Sequence, residues 1–133
     1  MGPEAPQKDD VDAYAPPSTP PGAATPPTDA EAAFRAGYLD AGGSVALLDH
    51  FVLAVLPCES PDGAGGIEWT PGNADYRSAA QFHPQSWERV EREVGRSLAY
   101  EQPYDVGIAV ATWVWLIGAD SIATTSGWPW CGR

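Results

Sequence analysis

Bulky apolar side chains become frequent only after residue 28. Before that point Val11 and Tyr14 stand nearly alone in a proline-rich stretch typified by "APPSTPPGAATPPTD". Such a segment cannot bury enough surface to offset its ordering entropy. Residues 1–27 are therefore predicted to be a disordered or polyproline-like arm, a tether with the option of meeting a proline-recognising protein. The folded domain is predicted over residues 28–133.

Within that domain the pattern is helical. "TDAEAAFRAGYLDAGG" places a cap at Thr28 or Asp29, acids in the first turn, Phe34 and Tyr38 on one face together with Leu39, and glycines at its end. It predicts a helix of about three turns. "SVALLDHFVLAVLPCES" predicts a mostly buried helix capped by Ser44, with Asp49 and His50 outward or locally bonded. Pro57 lacks a backbone donor and disfavours helical geometry at Leu56, so a kink or a stop is expected just before Glu59. "SPDGAGGIEWTPGNADY" is rich in turn formers and predicts turns or a small hairpin. "HPQSWERVEREVGRSL" predicts a helix over 84–94, with Trp87, Val90 and Val94 on one side. "PYDVGIAVATWVWLIGAD" is apolar nearly all round and predicts a central buried helix, with Trp113 and Trp115 in the core. The tail "TTSGWPWCGR" is irregular. The expected fold is mainly α, with a cleft built from loops.

Charge narrows the partners. Eighteen Asp and Glu face 7 Lys and Arg, a formal net charge of −11. Nucleic acid and anionic membrane surfaces both call for clustered cations, so neither is an expected partner. No aliphatic stretch is long enough to predict a bilayer span. The opening "MGPEAPQKDDVDAY" has no basic start and no apolar core, and so does not read as a signal peptide.

The chain has 2 cysteines, Cys58 and Cys131, and 2 histidines, His50 and His83. A zinc site calls for more ligands at short spacing, so no metal is expected, and no cofactor motif is present. A disulfide is the simplest reading of the cysteines, with a reactive thiol as the alternative. A disulfide would imply an oxidising compartment, and hence a secreted, cell-wall or virion location. Trp128 and Trp130 would then cover it. The two histidines are not expected to act as ligands or bases.

One ordered set of short motifs carries chemistry. It runs from "CES" at 58–60 through Trp69, "YRSAAQF" at 76–82 and the Ser86–Trp87 pair to "WPWC" at 128–131. In this order the motifs resemble the resuscitation-promoting factor and transglycosylase-like domains of the lysozyme-like superfamily. The resemblance covers roughly the 75 residues from Cys58 onward. It implies a small lysozyme-like domain that cleaves peptidoglycan glycan strands at the β-1,4 linkage between N-acetylmuramic acid and N-acetylglucosamine. Glu59 matches the catalytic glutamate of that family, and Gln81 matches a glutamine that lines its substrate cleft. Tyr76 and Trp69 match aromatic positions near the cleft, and Cys58 and Cys131 match bridging cysteines. The chain departs from the pattern at Ser78, Ala79 and Ala80, which stand where the family has glycines. Pro57 before the Cys-Glu pair and a long loop over 61–68 also differ.

The residues fit that chemistry on their own terms. Glycosidic cleavage needs a proton donor, and a carboxylic acid serves near neutral pH when an apolar setting raises its pKa. Glu59 follows an apolar helix in a chain with 6 tryptophans. A second carboxylate often assists, and Asp62, Glu68 and Asp75 are candidates. Without one, the sugar's own groups complete the reaction and give an anhydro product. Both routes stay open at this level. The alternative function is a glycan-binding or virion/envelope structural module on the same fold.

Overall fold

A computed structural model of the chain describes residues 28–72 and 75–133. The predicted arm over 1–27 lies outside the described residues. The molecule is mainly helical, and the described residues form no strand, only single bridges at Pro61–Ile67 and Arg77–Phe82. The described residues of the 61–83 segment thus form turns rather than a hairpin of extended strands.

Helix α1 (Asp29–Asp40) begins where the Oγ1 of Thr28 accepts the N–H of Glu31 at 3.1 Å. Asp29 and Glu31 place negative charge at the positive end of the helix dipole. Phe34 and Tyr38 are fully buried on its inner face, whereas Leu39 is exposed. The helix lies along α5 (Pro103–Ile117), the central element, in which Val106 to Ala111 are all buried. The two helices cross at two glycines. A methyl group added to Gly37 would overlap the carbonyl of Tyr104, and one added to Gly107 would overlap that of Phe34. The backbones therefore meet almost directly, as small residues allow and larger ones do not.

Helix α2 (Val45–His50) runs into a π turn (Phe51–Val55) and then α3 (Leu56–Glu59) without leaving right-handed helical geometry. The proline does not stop the helix, which runs on for two residues to Glu59. The reason is the wide turn before it, in which the N–H of Leu56 reaches back to the carbonyl of Phe51. That extra residue per turn makes room for the proline ring, which an ordinary α-turn would crowd. Leu48, Phe51, Val52, Val55 and Leu56 are buried, and Glu59 continues their stripe at three and four residues beyond the last pair.

Helix α4 (Pro84–Val94) has proline in its first turn and ends at Gly95, whose φ of 87° provides a left-handed cap. Trp87 and Val90 are buried from it, as its spacing predicts. A short 3₁₀ turn (Ala119–Ser121) leads from α5 into the tail. Trp128 of the tail is buried. Its ring meets Phe51 at 5.2 Å and Phe82 at 5.9 Å, and its Nε1–H donates to the carbonyl of Ala80 at 2.8 Å.

Besides Leu39, several apolar side chains differ from expectation. Trp113 packs against the core, but Trp115, two residues on, is 73% exposed. Two residues turn a helix by about 200°, so the partners of Trp113 cannot also reach Trp115. Leu53 is 70% exposed on the outer side of the π turn. Trp130 is 74% exposed and does not shield the disulfide as a buried cover.

The close crossing of α1 and α5 yields a stability prediction. Alanine favours a helix interior over glycine by about 1 kcal/mol. At Gly107 the overlap with a backbone carbonyl should outweigh that gain, and Gly107→Ala should lose roughly 1–3 kcal/mol. Urea unfolding measures this directly. A variant as stable as the parent would show that the helices part without cost.

Candidate active site

Glu59 is the last residue of α3 and is half-buried. The next residue organises its surroundings. Ser60 is buried, its Oγ donates to the carbonyl of Ala79 at 2.9 Å, and it accepts a hydrogen bond from the side-chain Nε2 of Gln81 at 2.9 Å. These bonds clip the 78–81 turn onto the end of the helix that carries Glu59. The turn itself uses left-handed backbone at Ser78 (φ 68°) and Gln81 (φ 55°). It is closed by paired bonds between Arg77 and Phe82, at 2.7 and 2.8 Å. Non-glycine residues adopt such geometry at a cost, and here Phe82, buried against Trp87 and Trp128, holds the turn in place.

The rest of the lining comes from the other end of the chain. Cys58 and Cys131 are joined, with Cα atoms 5.5 Å apart, and no cysteine is free. His50 adds a second tie, its Nε2 lying 2.9 Å from the carbonyl oxygen of Gly132. The result is a cleft of about 570 Å³. Glu59, Tyr76, Gln81 and His83 line it together with Thr125, Gly127, Trp128, Pro129 and Trp130 of the tail. Burial pushes the Glu59 carboxyl up from its ordinary pKa. Removing water from around a carboxylate penalises the charged form, so the proton is held more tightly.

Glu59, Gln81 and Tyr76 are thus brought to one place. Trp69 is not among them. It is half-buried and packs on Phe34, with ring centroids 5.7 Å apart. The candidate second carboxylates also lie elsewhere. Asp62 is exposed and accepts the N–H groups of Ala64 and Gly66 at 2.7 and 2.9 Å, which hold its carboxyl below the ordinary range. Glu68 accepts from the backbone and hydroxyl of Thr70. Asp75 is exposed outside the cleft lining. Among the described residues that line the cleft, Glu59 is the one carboxylate. The described residues hold no cluster of metal-ligating side chains, and none of their helices is long and apolar enough to cross a membrane.

Sequence reasoning did not assign His83, Thr125, Pro129 or Trp130 to this cleft. The cysteine pair was the available signal, since a link from Cys58 to Cys131 draws residues 125–130 toward Glu59. A second cavity of about 560 Å³ lies at Asp40, Arg96, Tyr104 and Trp115, away from Glu59. Three of its polar side chains, Asp40, Tyr104 and Arg96, are already engaged with one another or with neighbours. Tyr104 donates to Asp40 at 2.6 Å, which pushes the phenol up to about 12, and Arg96 pairs with Asp105 at 3.1 Å. The Glu59 cleft is therefore the stronger candidate for chemistry.

No protein-family model, curated protein or solved structure matches the chain. Two properties of the cleft can be measured directly. Glu59 has a raised pKa in the folded state, so the folded chain binds its proton more tightly than the unfolded chain does. The stability from that proton is complete below the unfolded-state pKa and is lost as pH rises through the folded-state pKa. Glu59→Gln should accordingly match the parent at low pH and exceed it at neutral pH, in thermal melts taken across the range. A gap that stays constant with pH would remove the burial argument. Replacing both cysteines by serine should lower stability by about 2–5 kcal/mol. It should also narrow the pH-dependent gap, because a loosened wall readmits water to Glu59.

Proposed function

We propose that this cleft cleaves the glycan strands of peptidoglycan, with Glu59 as general acid. The observation that carries the reading is a single half-buried carboxyl, raised in pKa by burial, on the wall of a cleft that also presents an amide and aromatic rings. The ordered resemblance of the motifs from Cys58 to Cys131 supports the choice of substrate.

The protonated Glu59 donates to the bridging oxygen between two sugars as the C1–O bond breaks. Positive charge develops on the ring carbon and its oxygen, and the leaving sugar departs as an alcohol. Glu59, now a carboxylate, takes a proton from the hydroxyl that attacks C1, which restores the acid. The attacking hydroxyl belongs either to water or to the same sugar. No second carboxylate lines the cleft among the described residues to hold or activate a water. This supports intramolecular closure to an anhydro-sugar, the lytic transglycosylase outcome, over hydrolysis. Gln81, held by Ser60, offers amide groups to sugar hydroxyls or N-acetyl groups.

Digestion of purified peptidoglycan followed by mass analysis of the fragments tests this. Anhydro-ended products, lighter by one water than their hydrolysed counterparts, are expected. Glu59→Gln keeps the shape of the side chain but cannot transfer the proton, and should lose on the order of a hundredfold or more in turnover while still binding glycan. The parent's activity should fall on the alkaline side at a pH above the ordinary carboxylate range, because the acid must be protonated to act. Full turnover by Glu59→Gln would overturn the acid assignment, and binding without cleavage by the parent would reduce the domain to a glycan-binding module.

A further inference from the structure

We propose that Trp130 is a fixed stacking platform for one sugar ring of the glycan beside the bond that breaks, backed from behind by Arg133. The inference rests on the glycan reading of the cleft and deepens it. Trp130 lines the same cleft as Glu59 yet is 74% exposed. Burying an indole is favourable, so a chain that leaves one in water forgoes stability at that position. It does so here in a segment that is otherwise pinned. Trp128 is buried, with its backbone N–H on the carbonyl of Ile122 at 2.6 Å, and Pro129 restricts the next φ. Cys131 is covalently fixed to Cys58, and the N–H of Gly132 returns to the carbonyl of Trp128 at 2.7 Å. The backbone on both sides of Trp130 is therefore anchored while its side chain projects.

One face of the ring is already taken. The guanidinium carbon of Arg133 sits 4.5 Å from the indole centroid, and the Nε–H of Arg133 donates to the carbonyl of Pro129 at 3.1 Å. The arginine is thus bound to the same short turn as the ring it covers. A cation held over one face restrains the indole and leaves the other face open. A pyranose ring presents a patch of C–H groups that matches such a face, whereas its hydroxyl edges match Gln81. An anchored aromatic surface has little ordering entropy left to lose on binding. The disulfide links this platform to the acid, because Cys131 follows Trp130 and Cys58 precedes Glu59.

The test uses the full chain and a soluble peptidoglycan tetrasaccharide. In the Glu59→Gln background, Trp130→Ala should weaken binding on the order of three- to tenfold, the size expected of one aromatic stack. Trp130→Phe should recover most of the loss, and Arg133→Gln should show a smaller one. Thermal melts of each variant should stay close to the parent's, since an exposed side chain contributes little to the core. With Glu59 intact, the loss in Trp130→Ala should appear in KM more than in kcat. Equal affinity in Trp130→Ala and its parent would overturn the platform and leave cleavage by Glu59 standing. A loss in Trp130→Phe as large as in Trp130→Ala would overturn stacking as its basis. A wild-type chain that neither binds nor cleaves the tetrasaccharide or intact peptidoglycan would overturn both readings.

Discussion

The bond between Cys58 and Cys131 makes one object of two segments separated by 73 positions. Everything that the tail brings to the cleft arrives through that closure. The tail has no regular structure beyond a short 3₁₀ turn, so repeated backbone hydrogen bonding cannot hold it as it holds a helix. Two other contacts act with the covalent tie. Trp128 fills a space between Phe51 and Phe82, and the carbonyl of Gly132 meets His50. A burial, a hydrogen bond and a bridge thus fix the same segment at three points, which is enough to define its orientation as well as its distance.

The site opposes stability in small ways. A carboxyl is held half out of water, two non-glycine residues take left-handed backbone, and two tryptophans remain exposed. Each is unfavourable locally, and each except Trp115 lies at or beside the cleft. The rest of the molecule offsets them through the buried crossing of α1 and α5 and the aromatic cluster around Phe82. A fold that keeps its strained elements together, next to its most redundant packing, can present a reactive group without loosening elsewhere.

How much of this was legible in the sequence depends on how local each signal was. The limits of α4 follow from Pro84 and Gly95, which act within one turn. Phe34 and Tyr38 on the inner face of α1 follow from their spacing, and the central place of α5 from its apolar character nearly all round. An apolar setting for Glu59 follows from the apolar helix before it, but its exact place on the buried stripe depends on the helix running on through Pro57. The continuation of the helix through Pro57 did not follow, because a proline reads as a stop unless a wider turn precedes it, and no residue type marks a π turn. Trp115 reads as a core residue and Trp130 as a cover for the disulfide because indoles are usually buried, but whether a neighbour reaches a given ring depends on the packing of remote segments. The tail's share of the cleft was invisible to any periodicity and accessible only through the cysteines. Trp69 shares the character of a sugar-stacking residue and sits instead on Phe34, a distinction that lies in three-dimensional placement.

The π turn has a bearing on how such a chain could vary over time. It behaves as a one-residue insertion absorbed in place, with the surplus bulging toward solvent, where Leu53 and Ala54 are exposed. The flanking turns keep their directions, so the acid at the end of the rod is aimed by the core and the bridge rather than by the number of residues in the segment. What the surplus residue permits is the proline. A lineage that shortened this turn by one position would keep its glutamate facing the cleft but would have to give up Pro57. One that gained the proline first, without the slack, would break the rod one turn before the residue it carries. The slack in the turn thus spares the segment the roughly 3 kcal/mol or more that a proline ring costs against an ordinary α-turn.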